Sequence, residues 1–303
     1  MQELDQVKIN FDSSGLWVIN VALAIVMFGV ALDIKVSDFK QIIKSPKLLL
    51  IGILSQFVLL PLLTFLLVII LKPQPSIALG MIMVAACPGG NISNFISHLA
   101  KANTALSVSL TAFATFIAIF MTPFNFQFYG GLYEPTAVIL KEVELNSLDI
   151  IKLVLLILGI PLVLGMYFRY KDEVFAQKLS KILKPFSIIV FALIIVIAFS
   201  MNIDVFTDYI SHVLLIGVLH NALAMLLGFM VAKLFKLSFV NQKTMAIETG
   251  IQNSGIGLLL IFTFFNGLGG MAILVAFWGI WHILSGLILA FYWSYKATKQ
   301  QEF

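Results

Sequence analysis

The stretch CPGGNISN (residues 87–94) interrupts an apolar segment that runs from residue 76 to residue 98. Proline lacks a backbone donor and glycine gives up helical order easily, so we expect a helix to break here. A second apolar segment, residues 244–265, is interrupted by ETGIQNSG (residues 248–255). Backbone groups freed at membrane depth persist only where protein or water satisfies them. Two polar breaks therefore predict a pair of discontinuous helices around a binding site, as is typical of secondary transporters.

The rest of the sequence has the composition of a membrane protein. Hydrophobic residues make up 60% of the 303 positions and charged residues 11%, whereas a soluble domain is about half apolar and about a quarter charged. The apolar stretches are long enough to cross a bilayer as helices and lack the alternation of a β-barrel. We predict an all-α polytopic membrane protein with nine transmembrane helices, spans A to I, at residues 15–32, 48–71, 76–98, 103–125, 149–168, 186–203, 211–232, 244–265 and 271–294.

The two interrupted spans, C and H, lie five spans apart, so they run in opposite directions across the membrane. This offset predicts an inverted repeat with two broken crossing helices. The predicted segments are an extracytoplasmic N-terminal segment (1–14), a first half-repeat of spans A–D (15–128), an extracytoplasmic loop (129–147), a second half-repeat of spans E–I (148–295) and a cytoplasmic tail (296–303).

The basic residues predict the orientation. Fifteen of the 19 Lys and Arg residues lie in the loops on one side of these spans, which the positive-inside rule makes cytoplasmic. We therefore expect a multi-pass protein of the cell inner (plasma) membrane, with its N-terminus outside and its C-terminus cytoplasmic. The net charge of +4 has this topological cause, so the lipid bilayer is the expected partner and nucleic acid is not. The single cysteine, Cys87, excludes an internal disulfide and a cysteine zinc site.

Glu248 is the only one of 15 acidic residues that lies well inside a predicted span. A carboxylate in hydrocarbon costs roughly 2.5 kcal/mol or more, and no Lys or Arg lies at comparable depth, so a cation from solution is the expected partner. The alternative is a protonated glutamic acid that hydrogen-bonds two helices together. Sodium, a hard cation, takes oxygen ligands. Candidate ligands on the broken spans and their neighbours are Gln56, Ser93, Asn94, Ser107, Thr111, Gln252 and Asn253.

Both breaks resemble the signature stretches of the bile acid:sodium symporter family, in its nine-span form, and the likeness covers nearly the whole chain. The resemblance implies two sodium ions as the cofactors. The first site implied consists of Ser93, Asn94, Ser107, Thr111 and Glu248. The second consists of Gln56, Glu248 and Gln252, with the backbone carbonyls of Thr249 and Ile251. It also implies a core domain (spans B, C, D, G, H and I) that moves against a panel domain (A, E and F).

The expected substrate is a small organic anion. The half-helices that resume at Asn91 and Asn253 point their N-termini inward, and helix N-termini favour anions. Asn91, Asn253 and His282 could donate hydrogen bonds to a carboxylate or sulfonate. The resemblance implies an anion of the bile acid, pantoate or keto-acid type, and we expect a monomer.

The predicted function is secondary active transport, with sodium-coupled uptake (symport) of an organic anion by alternating access, and not enzyme catalysis. A proton-coupled or sodium-independent organic anion carrier or exporter of the same fold is the first alternative. An intramembrane enzyme or a receptor is the second. Aspartyl proteolysis needs two carboxylates in close reach, but only one lies at depth. Neither break contains the Gly-x-Ser-x-Gly turn of a serine hydrolase.

Overall fold

The computed structural model describes residues 4–5, 21, 24–29, 31–143, 147–201 and 203–299. In these ranges the chain is helical, and no strand longer than an isolated bridge occurs. The helices are α1 (Val36–Ile43), α2 (Pro46–Leu71), α3 (Pro75–Ala86), α4 (Ile92–Leu99), α5 (Thr104–Leu132), α6 (Glu134–Glu142), α7 (Ser147–Val154, continuing through Leu155–Gly159 and Ile160–Lys171), α8 (Glu173–Met201), α9 (Ile203–Leu234), α10 (Phe239–Gly250), α11 (Ser254–Phe264) and α12 (Gly269–Lys299).

The predicted all-α polytopic membrane fold is confirmed. Five helices in the described ranges are long and apolar enough to cross a membrane, and they carry large apolar side chains such as Leu50 and Ile70 on their outer surface. Spans B to I each coincide with one helix or with a broken pair. Half of span A lies outside the described residues, so the count of nine and the inverted repeat remain predictions. The segment predicted as an extracytoplasmic loop contains the short helix α6.

Both predicted breaks are present, but they differ in extent. In span C, α3 ends at Ala86 and α4 begins at Ile92. In span H, α10 continues through Gly250 and α11 begins at Ser254, so Glu248 is still helical. The second break is shorter than the polar stretch suggests because Asn221 of α9 donates to the Gly250 carbonyl at 2.7 Å and so satisfies the end of α10.

The two breaks cross and satisfy each other. Gly89 and Gln252 form an isolated antiparallel bridge. The Gly90 amide donates to the Ile251 carbonyl, and the Asn253 amide donates to the Pro88 carbonyl, both at 2.8 Å. Backbone groups that a broken helix frees inside the membrane thus find partners in the other broken helix. Glycine at position 90 permits this close approach, because a Cβ there would lie 3.1 Å from the Gln252 carbonyl oxygen, a tight contact.

The crossing is enclosed by the helices around it. The helix α9 packs on α10, and α12 packs on α3, α4, α9 and α11. The helices α4 and α10 both contact α5. The largest apolar cluster includes most of the buried apolar residues of α3, α11 and α12, the helices next to the crossing. The crossing is therefore a buried, protein-lined place at which polar side chains can be held.

Candidate functional site

Glu248 lies in the last turn of α10 and is fully buried. Its Oε1 atom accepts hydrogen bonds from Ser93, at 2.5 Å, and from Ser107. Its Oε2 atom accepts from the Thr111 hydroxyl at 3.0 Å. These three hydroxyls come from α4 and α5, so one carboxylate joins three helices, and two of those helices end or begin at the crossing.

Asn94 completes this first cluster. Its Oδ1 atom lies 2.9 Å from the Ser107 hydroxyl and 3.3 Å from the Thr111 hydroxyl. Ser107 and Thr111 share one face of α5, whose N-terminus is capped by Asn103 through a 3.0 Å bond from the Leu106 amide. The structure thus brings together the five side chains of the first predicted sodium site.

The first cluster contains more acceptor positions than hydrogens. Each hydroxyl carries one hydrogen, so Ser107 and Thr111 can serve either Glu248 or Asn94 at a given moment, but not both. A carboxylate and an amide oxygen together offer about six lone-pair positions to three hydroxyl hydrogens. The surplus of oxygen lone pairs is what a hard cation such as sodium requires.

A second group of oxygens lies on the other side of Glu248. Gln56 of α2 donates through Nε2 to the Glu248 backbone carbonyl at 3.2 Å, and Gln252 donates through Nε2 to the Thr249 carbonyl at 2.8 Å. The Oε1 atoms of both glutamines are buried and have no hydrogen-bond partner in the described chain. Burying an unpaired amide oxygen is costly, so these two atoms fit a ligand that attracts oxygen.

The backbone carbonyls of the second predicted site are already in use. Thr249 accepts from Gln252, and Ile251 accepts from the Gly90 amide at 2.8 Å. A carbonyl oxygen has two lone pairs, so each keeps one free. The structure therefore gathers the second predicted set as well, with Ile251 also serving the crossing.

No protein cation neutralises Glu248 in the described ranges. The ion pairs found there involve Lys35, Arg169, Glu173, Asp149 and Lys152, far along the chain from the crossing. Lys243 is also on α10 and is buried, but its Nζ donates to the carbonyls of Ala100 and Lys101, at 2.6 and 2.7 Å. The negative charge at Glu248 is thus left for a ligand to balance.

The predicted substrate residues are brought together only in part. Asn91 and Asn253 directly precede α4 and α11, and the crossing places these two helix starts side by side. Both polar atoms of the Asn253 side chain already have a partner within the protein. Its Oδ1 accepts from the Ile256 amide at 3.4 Å, and its Nδ2 lies 4.0 Å from the Met27 sulfur.

His282 is buried on α12, and its Nδ1 has no partner. It is three residues from Gly279, which adjoins Ser254, and four from Gly286, which adjoins Ile251. This spacing puts His282 on the face that packs against the crossing. Among the described contacts, no hydrogen bond joins His282 to either asparagine.

Ser55 belongs to the site and is absent from the sequence-based set. Its hydroxyl lies 2.7 Å from the Thr249 hydroxyl, and both residues are buried. Ser55 and the adjacent Gln56 lie in a π-helical turn of α2, Leu54–Leu59. The available signal was a pair of adjacent polar residues in a span whose only other polar side chain is Thr64. The sequence does not place the two on a common face, because neighbouring residues on an α-helix point about 100° apart.

Comparison with known proteins adds three informative relatives. Residues 20–209 match the sodium bile acid symporter family. An uncharacterized sodium-dependent transporter, YocS, of Bacillus subtilis (strain 168) is 35% identical over 297 residues, covering 96% of this chain and 88% of the relative. A probable chloroplastic sodium/metabolite cotransporter, BASS1, of Arabidopsis thaliana is 28% identical over 288 residues, covering 94% and 69%. The ileal sodium/bile acid cotransporter of Homo sapiens is 29% identical over 239 residues, covering 78% and 66%.

Proposed function

The chain belongs to the sodium bile acid symporter family, and from this premise we propose that it carries out sodium-coupled uptake of an organic anion by alternating access. It is a transporter and not an enzyme. Sodium is the coupled ion and travels as cargo. We further propose that the protein works as a monomer in the plasma membrane, with the N-terminus outside and the C-terminus cytoplasmic.

The observation that carries the proposal is the buried Glu248 carboxylate, which is surrounded by oxygen atoms and forms no ion pair within the described part of the chain. A protein that needed only a structural carboxylic acid would match its acceptors with donors. Here three hydroxyls serve two acceptor groups, and the oxygen surplus suits sodium.

We propose a second sodium ion at Gln56 and Gln252. Their two unpartnered amide oxygens support it, together with the free lone pairs of the Thr249 and Ile251 carbonyls. Both sites would include Glu248. The first site would use its carboxylate, and the second would lie next to its backbone carbonyl, which accepts from Gln56. A single carboxylate then balances part of the charge of two ions.

Coupling follows from where the proposed ligands lie. The first ion would join α4, α5 and α10, and the second would join α2 to the end of α10 and to the second break itself. Sodium would thereby hold the starts of α4 and α11 side by side. Those helix N-termini attract an anion, and bound anion in turn raises sodium affinity by the same factor.

The anion would be of the bile acid, pantoate or keto-acid type, bound at Asn91, Asn253 and His282. The bile acid type is supported by the ileal relative and the broader metabolite class by the chloroplastic relative. A site built from neutral donors and helix ends binds a monoanion without holding it too tightly for release.

Sodium binding can be tested before the anion is known. Purified protein should be stabilised by sodium chloride relative to choline chloride, by about 2.7 kcal/mol at a hundred times the dissociation constant. Glu248→Gln keeps the size of the side chain, removes its charge and should abolish the sodium-dependent shift. Glu134→Gln is the matched control, because Glu134 is an exposed carboxylate at the start of α6.

Three outcomes would contradict the proposal. One is equal stability of the wild type in sodium and choline at constant pH, and another is a sodium shift that survives in Glu248→Gln. The third is anion uptake into proteoliposomes that a pH gradient drives without sodium, which would favour the proton-coupled carrier.

A further inference from the structure

The π-helical turn that carries Gln56 is followed by Pro61. The Leu60 amide donates to the Ser55 carbonyl, five residues back, which marks one extra residue in this turn of α2. Pro61 has no amide hydrogen, so the carbonyl four residues earlier, that of Phe57, loses the partner that an α-helix would supply. In an ordinary α-helix the proline ring would also clash with this Phe57 carbonyl, so Pro61 disfavours the α-helical register.

The π-turn decides where Ser55 and Gln56 point. Both are buried, and both reach α10, Ser55 to the Thr249 hydroxyl and Gln56 to the Glu248 carbonyl. Removing the extra residue from the turn would rotate one half of α2 against the other by about 100°. Gln56 would then no longer face Glu248.

Asn125 supplies the bond that Pro61 removes. It lies on α5, it is 3% exposed, and its Nδ2 donates to the Phe57 carbonyl at 2.9 Å. The same helix carries Ser107 and Thr111 of the first cluster. Without Asn125 the buried Phe57 carbonyl would lose this bond, and the α-helical register could not replace it because Pro61 has no amide hydrogen.

We propose that Pro61 and Asn125 are positioning residues, which together hold α2 in the π-helical register that presents Gln56 to the second sodium site. Pro61 disfavours the α-helical register, and Asn125 stabilises the π-helical one. Neither residue needs to touch sodium. The inference rests on the proposed function, since it requires that Gln56 binds the ion.

The test measures the sodium concentration that gives half of the thermal stabilisation, for purified wild type, Pro61→Ala and Asn125→Leu, with choline keeping the ionic strength constant. Both variants should need about tenfold more sodium or more, as expected when one contact to an ion is lost. Pro61→Ala should unfold in choline at the wild-type temperature or above it, because it regains a backbone bond.

Pro161→Ala is the matched control. Pro161 follows a second π-turn, Leu155–Gly159 in α7, whose five residues include no polar side chain. Its half-saturating sodium concentration should equal that of the wild type.

The outcomes separate this inference from the function. If the wild type shows no sodium-dependent shift, the proposed function fails. If the wild type shows the shift and Pro61→Ala or Asn125→Leu keeps its half-saturation, only the positioning role is overturned. Loss of stability in Asn125→Leu with unchanged sodium dependence would make Asn125 a structural residue and would equally overturn it.

Discussion

Glu173 and Glu248 each have several partners, but the partners carry different charges. Glu173, at the first residue of α8, is 55% exposed and pairs with Lys35 at 2.7 Å and Arg169 at 3.1 Å. Glu248 is fully buried, and its partners are three neutral hydroxyls. At the exposed Glu173, where water screens the charge, the protein provides two cations. At the buried Glu248, where screening is weakest, the described residues provide none.

This difference indicates what the crossing is built to hold. A buried carboxylate without a counter-charge is costly, and neutral hydroxyls offset only part of the cost. The same hydroxyls can act as ligands when a cation binds. Each hydroxyl oxygen has lone pairs that can face the cation while its hydrogen points to another acceptor. The contrast between the two glutamates thus points to a site that is completed by an ion.

The largest effect on this contrast should come from removing the hydroxyls of α5. Ser107→Ala combined with Thr111→Val deletes two partners of Glu248, each worth roughly tenfold in affinity or more, so half-saturation should need about a hundredfold more sodium. Sodium-dependent thermal stability measures this. Ser109→Ala is the control, because Ser109 is buried on the same helix and its hydroxyl has no described partner. A double variant with wild-type sodium dependence would remove these hydroxyls from the site.

An intermediate effect is expected at Lys243, a buried cation on the same helix as Glu248. Its Nζ binds the Ala100 and Lys101 carbonyls at the C-terminal end of α4, where a cation also meets the negative end of the helix dipole. Lys243→Met should lower the free energy of unfolding by about 1–3 kcal/mol. The exposed Lys233→Met is its control, measured by the same thermal or denaturant unfolding. Equal unfolding of the two variants would show that Lys243 does not hold α4 to α10.

The smallest effect is expected at Glu173, and it should depend on pH and general ionic strength. The hydrogen bond and charge of Lys35, helped by Arg169, hold the pKa of Glu173 below its usual range. A lowered pKa in the folded state means that the stabilisation is present above the unfolded-state pKa, about 4, and is lost as the pH falls below it.

Melting temperatures of the wild type and Glu173→Gln should therefore differ slightly at neutral pH and converge in acid. Sodium and choline chloride should shrink the neutral-pH difference equally, because salt screens exposed pairs without regard to the ion. If sodium chloride reduced the difference in melting temperature more than choline chloride did, Glu173 would also respond to sodium. The proposed distinction between Glu173 and Glu248 would then be wrong.

Much of the fold could be predicted from the sequence, because apolar length alone marks membrane helices. Spans B to I appear as helices or broken pairs, and Pro88 with its two glycines marks the first break. The length of the second break could not be predicted, since it depends on Asn221 reaching Gly250 from another helix. The π-turn at Leu54–Leu59 was also missed, because a helical periodicity of 3.6 hides one extra residue.

The candidate site divides in the same way. Glu248 stands out in the sequence by its charge, and Ser107 and Thr111 by their spacing on one helical face. The hydrogen bond from Ser93 to Glu248 joins residues 155 positions apart, and no local sequence pattern predicts such a contact. The bond from Asn125 to Phe57 is likewise a contact between distant helices, and an asparagine in an apolar helix does not reveal its partner.

By itself the sequence determined that this chain resides in a membrane, that two of its helices break and that one carboxylate has no Lys or Arg at comparable depth in a predicted span. These features follow from composition and from the covalent limits of proline and glycine. Only the tertiary structure decided that the breaks cross through paired backbone bonds and that the oxygens of α2, α4, α5 and α10 converge on one carboxylate. Convergence depends on how helices pack, and packing is settled by contacts between residues far apart in the chain.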